Sequence, residues 1–355
     1  MAGLEQAAWT LAVTGATLVA CGARTGLLVP EGTTEAGASC SGIDIPLDAN
    51  TPNLYFVLDR SGSMVEMNKW PNVRSVIADL MTQLGPRAQF GTAVFPAPGG
   101  GECGTGVEVM PVRPGDTQGA TAGVFLAVTA MAPNGGTPTA ATLDALAPEL
   151  AAFPQRTVAI LATDGGPNCN PALSCDANAC TSNMDDAPGC PTGGTPNCCD
   201  PTTGIGGIGC LDGTQAAQAV AMLANEGVAT FVLGIPGSAP YAAVLDSLAA
   251  AGGTARPTEP RYYSVDTADT TALAAAFAQI AAQATESCTF VLSSAPADPN
   301  DVNVYVGGLA VPREGPDGWT LEGTRLTLRG STCAAVQGAD AQAIRVLAGC
   351  PTLSQ

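Results

Sequence analysis

The 355-residue chain contains no histidine and one lysine, Lys69. Without histidine there is no imidazole to activate a serine, ligate zinc or serve as the commonest general base, which removes His-based triads and His-ligated metal sites. Lys69 lies in Met67-Asn68-Lys69-Trp70-Pro71, so neither a phosphate-binding loop ending in Gly-Lys-Ser/Thr nor Schiff-base chemistry finds support. Basic residues are scarce as a class. There are 13 against 31 acidic ones, and the net charge of -18 opposes binding to nucleic acid or to anionic membrane surfaces. Cys-x-x-Cys spacing is also missing, although the chain has 13 cysteines. That combination points away from zinc ribbons and thioredoxin-like sites, and towards disulfides in an oxidising compartment.

What is present starts with an apolar content of 46%, enough for one large domain and a smaller one. Residues 7–20 are mainly apolar, too short a run to span a bilayer comfortably and suited to the core of a signal peptide. The run closes in Leu18-Val19-Ala20-Cys21-Gly22, which resembles the lipobox of bacterial lipoproteins. The resemblance implies an acylated Cys21 and an exported protein anchored by lipid in the bacterial envelope, at the outer membrane or cell surface. Residues 1–10 depart from the pattern, carrying Glu5 and no basic residue. An ordinary cleaved signal, or a buried helix with a chance cysteine, is the other reading of the same stretch. Setting Cys21 aside from the 13 cysteines leaves twelve, an even number that fits a disulfide framework.

Residues 22–52 are rich in Gly, Thr, Pro and Ser and read as a tether and a loop, with Cys40, that lead into the folded part near Asn53. An apolar strand then ends abruptly in Asp59-Arg60-Ser61-Gly62-Ser63, one carboxylate and two hydroxyls at alternate positions. Oxygen ligands so arranged past a strand end suit a hard divalent cation. Helical spacing of Trp70, Val73, Val76, Ile77, Leu80, Met81 and Leu84 follows, stopped by Gly85-Pro86. Strands are expected at 88–96, 107–112, 157–161, 228–235 and 261–265, and helices at 121–132, 139–153, 215–225, 242–251 and 271–284. Apolar strands without period-two polarity, alternating with helices, predict an α/β fold: a doubly wound, Rossmann-like, mainly parallel sheet with helices on both faces. In such sheets ligands sit beyond the carboxyl ends of strands where strand order reverses. Asp59 and Asp164 both lie at such ends.

At this point the residues carry a second resemblance. Asp59-Arg60-Ser61-Gly62-Ser63 resembles the Asp-x-Ser-x-Ser motif of the von Willebrand factor type A domain and of the related integrin inserted domain. Thr137 in Gly135-Gly136-Thr137-Pro138 matches that family's isolated threonine, and Asp164 in Thr163-Asp164-Gly165 its second aspartate. The resemblance spans about residues 53–285 and implies a metal-ion-dependent adhesion site built from Asp59, Ser61, Ser63, Thr137 and Asp164. It implies Mg2+, or Mn2+ or Ca2+, with an open coordination position that attracts a carboxylate from a protein or glycan partner. Read locally, the same residues also suit an Asx turn at Asp59, a cap at Asp164, and a helix start at Thr137-Pro138.

Between Asp164 and the next helix lies an insertion, 165–213, far longer than an ordinary strand-to-helix loop. Its Cys169, Cys175, Cys180, Cys190, Cys198, Cys199 and Cys210 make eight with Cys103, enough for four bridges. The vicinal Cys198-Cys199 is expected to bond to two different partners. The insertion is expected to overhang the metal edge, and its Asp176, Asn178, Asp185 and Asp186 read as solvated polarity in preference to a second calcium site. Residues 286–355 alternate with period two and read as a small β module, where Cys288, Cys333, Cys350 and Cys40 allow two bridges in three pairings.

The chain is thus expected to be a binding protein and not an enzyme. One alternative is a haloacid-dehalogenase-like phosphatase with Asp59 as nucleophile, which Ser61, in place of a second aspartate, and the absence of any lysine after Lys69 oppose. The other is a structural envelope protein whose metal site is vestigial.

Overall fold

Strands buried on both faces need apolar residues at nearly every position, and Leu54 to Leu58 and Val158 to Ala162 are such runs. The computed structural model describes residues 42–45, 47, 51–267, 269–285, 288–336 and 344–352. The signal-peptide and lipobox readings, Cys21 and Cys40 lie outside the described residues. In chain order the elements are β1 (Ile43–Ile45), β2 (Asn53–Asp59), α1 (Lys69–Leu84), β3 (Gln89–Phe95), β4 (Val107–Pro114), α2 (Ala120–Val128), α3 (Thr139–Ala152), β5 (Thr157–Thr163) and α4 (Thr181–Met184). There follow α5 (Gly213–Asn225), β6 (Ala229–Gly234), α6 (Ala242–Ala251), β7 (Tyr263–Ser264), α7 (Thr270–Thr285), β8 (Thr289–Val291), β9 (Val302–Val306), β10 (Leu309–Val311), β11 (Trp319–Glu322), β12 (Arg325–Leu328), α8 (Gly330–Ala335) and β13 (Ile344–Ala348).

Six strands form the central sheet in the order β4-β3-β2-β5-β6-β7. All neighbours are parallel except β4, which returns antiparallel to β3. Alternate residues of β2 serve opposite faces. Leu54, Phe56 and Leu58 pack with α1, α2 and α7, for example with Val73, Ile77, Phe125 and Phe277. Tyr55 and Val57 pack with α3, α5 and α6 through Leu143, Leu146, Val220, Leu223, Leu245 and Leu248. The α/β doubly wound sheet expected from sequence is therefore what forms. Each fully buried Leu, Val or Phe removes enough apolar surface to contribute about 1.5–3 kcal/mol, so this two-faced core dominates stability.

The C-terminal strands make two small antiparallel sheets, β1-β13-β9-β10 and β11-β12-β8, around Val302, Val304, Trp319 and Leu326. Trp319 Nε1 donates to the Val311 carbonyl at 3.0 Å, satisfying the indole inside that core. Cys288 and Cys333 are bridged there, and Cys350 is also disulfide-bonded.

Several boundaries differ from expectation for identifiable reasons. Ile43–Ile45, read as part of the tether and loop, is an edge strand antiparallel to β13, because its partner lies some three hundred residues away and no local pattern reveals it. The helix expected over 121–132 stops at Val128. There Arg74 Nη2 donates to the Leu126 carbonyl at 2.5 Å and Trp70 Nε1 to the Met131 carbonyl at 2.8 Å, so tertiary donors take up carbonyls that a longer helix would have used. The strand expected over 261–265 shrinks to two residues, since the Arg261 and Tyr262 amides donate to Asp246 Oδ1 instead of to a neighbouring strand. Among the described residues no helix is long and apolar enough to cross a membrane.

Candidate metal centre

The sheet order brings the two strand-end aspartates together. β2 and β5 are adjacent and in register to Leu58 opposite Ala162, while β3 flanks β2 on one side and β6 flanks β5 on the other. The chain thus leaves the two central strands in opposite directions, which opens a crevice at their carboxyl ends. Asp59 ends β2, Thr163 ends β5, and Asp164 follows.

The first loop is wound tightly by its own carboxylate. Asp59 Oδ1 accepts the Ser61 amide at 2.7 Å, and Oδ2 accepts the Thr163 hydroxyl at 2.5 Å. Ser61 Oγ and Ser63 Oγ lie 3.2 Å apart, and Ser63 Oγ donates to Asp164 Oδ1 at 2.9 Å. Ser61, Ser63 and Asp164 are therefore linked through their side-chain oxygens, and Asp59 joins them through the Ser61 amide. The Asx turn read locally at Asp59 forms, with the Ser61 amide on Oδ1.

Thr137 arrives from a third loop. Its amide donates to Asn168 Oδ1 at 2.8 Å, and its carbonyl accepts the Asn168 amide at 2.9 Å. The Cys103–Cys169 bridge pins the neighbouring chain, and Gly136 allows it: a Cβ there would fall 2.7 Å from Cys169 Sγ and 3.0 Å from Asn168 Oδ1. Gly135, at φ 85°, turns its carbonyl to accept the Gly62 amide at 2.9 Å, tying this loop to the Ser61-Ser63 loop. A Cβ on Gly165 would stand 3.9 Å from Thr137 Oγ1, which places that hydroxyl against the loop leaving Asp164. The Thr137 hydroxyl makes no hydrogen bond among the described residues.

Electrostatics mark the site as short of positive charge. Asp59 is fully buried, and its carboxyl is pushed up to about 7, chiefly by burial and then by the negative charge of Asp164, against the lowering effect of the Thr163 and Ser61 donors. Burial also raises Asp164, but there Lys69 opposes the rise. Lys69 Nζ donates to Asp164 Oδ2 at 2.7 Å and to the Ser63 carbonyl at 3.2 Å. Two carboxylates and the hydroxyls of two serines and a threonine form an all-oxygen donor set of the kind Mg2+, Mn2+ and Ca2+ prefer, so the residues fit such an ion.

The centre opens on a cleft of about 680 Å3 lined by Ser63, Glu66, Lys69, Asp164, Asp185 and Pro188, among others. The insertion therefore overhangs this edge. Its Asp185 is held by the Tyr241 hydroxyl, which donates to Oδ1 at 2.7 Å, and burial raises the Asp185 carboxyl. Four bridges staple the overhang: Cys103–Cys169, Cys175–Cys210, Cys180–Cys199 and Cys190–Cys198. The vicinal cysteines do bond to different partners. The sulfurs of Cys175, Cys199 and Cys210 lie within 4.8 Å of one another, but all three are in bridges and offer no thiolate to zinc. Among the described residues Asp176, Asp185 and Asp186 do not gather into a metal-sized cluster; Asp176 Oδ1 accepts the Asn178 amide and Asp186 Oδ1 the Thr192 amide.

Sequence reasoning did not assign Lys69, Thr163 or Asn168 to the centre. Lys69 had a signal, since it stands on the same helical stripe as Val73, Ile77 and Leu80, where a charged residue needs a buried partner. Asn168 had none, because its role depends on a loop 31 residues away.

What the fold and this edge define together is a doubly wound α/β protein with an oxygen-lined crevice at its switch point. No protein-family model matches the chain, and no curated protein does. Among solved structures it is similar to the pilus adhesin SpaC of Lactobacillus rhamnosus GG, at 17% identity and a TM-score of 0.47, over 84% of this chain and 39% of that one. It is also similar to a von Willebrand factor type A protein from Catenulispora acidiphila (17% identity, TM-score 0.41, 86% of this chain and 60% of that one). The PilB minor pilin of Streptococcus sanguinis is a further match (17% identity, TM-score 0.41, 66% of this chain and 61% of that one). The chain thus spans less than two thirds of each of these structures.

Proposed function

We propose that this chain is an exported, surface-anchored binding protein of the von Willebrand factor type A kind, which recognises an acidic group on a protein or glycan through a divalent cation. Asp59, Ser61, Ser63, Thr137 and Asp164 would hold the ion, Mg2+ or else Mn2+ or Ca2+, and the ion would supply an electrophilic position for a partner's carboxylate. The observation that carries this reading is the meeting of Asp59 and Asp164 through Ser61, Ser63 and Thr163 at the switch point, beside an open cleft. The bridges support export, since such a framework persists in an oxidising compartment. Acylation at Cys21 would supply the anchor. Both Asp59 oxygens are engaged and buried, which suits a ligand-organising carboxylate better than the attacking nucleophile of a phosphatase.

The test is retention of the purified chain on immobilised native envelope in Mg2+ and in excess EDTA, with Asp59→Ala as control. Retention in Mg2+ that is lost in EDTA and in the variant is expected. Equal retention in all three conditions overturns the reading.

A further inference from the structure

The lone lysine of the chain is buried against the candidate centre, and nothing in the proposed coordination uses it. Its side chain is 2% exposed, with Nζ 2.7 Å from Asp164 Oδ2 and 3.6 Å from Glu66 Oε2. Burying an ammonium is costly unless a carboxylate lies against it, so this geometry belongs to a fixed ion pair and not to a chance contact. The surroundings are shaped for it. The turn that leads into α1 passes through two consecutive left-handed residues, Met67 (φ 50°) and Asn68 (φ 56°), and delivers Lys69 as the first helical residue. Opposite, Gly237 (φ 111°) closes over the pair, and a Cβ there would stand 3.2 Å from both Lys69 Nζ and the Asp164 carbonyl. A glycine is the residue that lets the backbone come that near.

We propose that Lys69 is a tethered cation that competes with the divalent ion for Asp164. This rests on the metal reading above. In the cation-free protein the ammonium neutralises Asp164, so the crevice keeps its shape without metal. When the ion arrives it must displace the ammonium from Asp164 Oδ2, and that exchange weakens its hold. Lys69 thereby sets the affinity for metal low, so that occupancy follows the cation concentration outside the cell.

Cation binding is measured by calorimetry with MgCl2 and MnCl2 on the full chain, for wild type, Lys69→Met, Lys69→Arg and Asp59→Ala. Lys69→Met is expected to bind at least tenfold more tightly than wild type, and Lys69→Arg to stay within about threefold of it, since Arg keeps the charge. In EDTA the Lys69→Met variant should melt below wild type and recover in saturating Mg2+. Wild-type binding with an equal or weaker constant in folded Lys69→Met overturns the competition while leaving the metal reading intact. Absence of binding in both folded proteins removes the metal reading, and the competition with it.

Should Lys69→Met fail to fold, wild type alone still decides. Lys69 carries the only side-chain amine, so its acylation rate, read by peptide mass spectrometry, reports whether the ammonium is released. A several-fold faster rate in Mg2+ than in EDTA is expected, and an unchanged or slower rate overturns the proposal.

Discussion

Raising the pH of the cation-free protein from about 4.5 to 7 is expected to destabilise it, opposite to the behaviour of a chain whose carboxylates are well paired. Asp59 titrates near 7 in the fold against an ordinary 3.8. Between those values the folded protein holds a proton that the unfolded chain has released. Unfolding then releases a proton, and higher pH favours it. One proton held across most of the window from about pH 4.5 to 7, at about 1.4 kcal/mol per pH unit, gives an upper figure of about 3 kcal/mol. Burial also raises the Asp164 carboxyl, but the Lys69 ammonium opposes that rise, so the slope is assigned to Asp59. Asp116, Asp200 and Asp317 are held below the usual carboxylate range by neighbouring amide and hydroxyl donors, so their contributions are lost only as pH falls below about 4, outside the window. Guanidinium unfolding followed by tryptophan fluorescence in EDTA, at half-unit steps of pH, measures the slope. Added Mg2+ should offset the loss increasingly towards pH 7, because the ion binds the ionised pair; at a hundred times its dissociation constant it stabilises by about 2.7 kcal/mol. Asp59→Asn should flatten the slope and abolish the response to Mg2+. A wild-type stability in EDTA that is flat or rises between pH 4.5 and 7, or an equal slope in Asp59→Asn, refutes the reasoning.

Other outcomes follow from single contacts. Thr137→Ala should reduce Mg2+ affinity at least tenfold by calorimetry yet cost only about 1 kcal/mol in EDTA, since the hydroxyl has no hydrogen bond to lose among the described residues. Replacing Cys103 and Cys169 together by serine frees a loop of 66 residues and the anchor of Thr137, and should lower unfolding stability by about 2–4 kcal/mol together with metal affinity. Phe277→Ala removes a fully buried ring set edge-on to Phe56 at 6.0 Å, and should cost about 3–5 kcal/mol in denaturant unfolding while sparing metal affinity in the protein that remains folded.

The doubly wound sheet was legible because its cause is local: Leu54 to Leu58 and Val158 to Leu161 are apolar without interruption, and that pattern is compatible only with burial on both faces. Asp59, Ser61 and Ser63 were legible as oxygens past a strand end for the same reason. Four bridges could be counted from cysteine number, but not their pairing, which depends on where 165–213 folds back. The edge strand Ile43–Ile45 stayed hidden, since a three-residue strand takes its identity from a distant partner.

The sequence by itself thus determined the kind of fold, the strand ends at which chemistry could occur, and the oxygen character of the candidate ligands. Only the tertiary structure decided that β2 and β5 are neighbours, so that Asp59 and Asp164 share one crevice, and that Asn168 and the Cys103–Cys169 bridge bring Thr137 beside them. It alone also decided that the chain's one lysine turns inward onto Asp164. The physical reason is the same in each case. Periodicity and propensity report how a segment meets its own neighbours, whereas the charge balance of a buried site is set by groups that converge from loops a hundred residues apart.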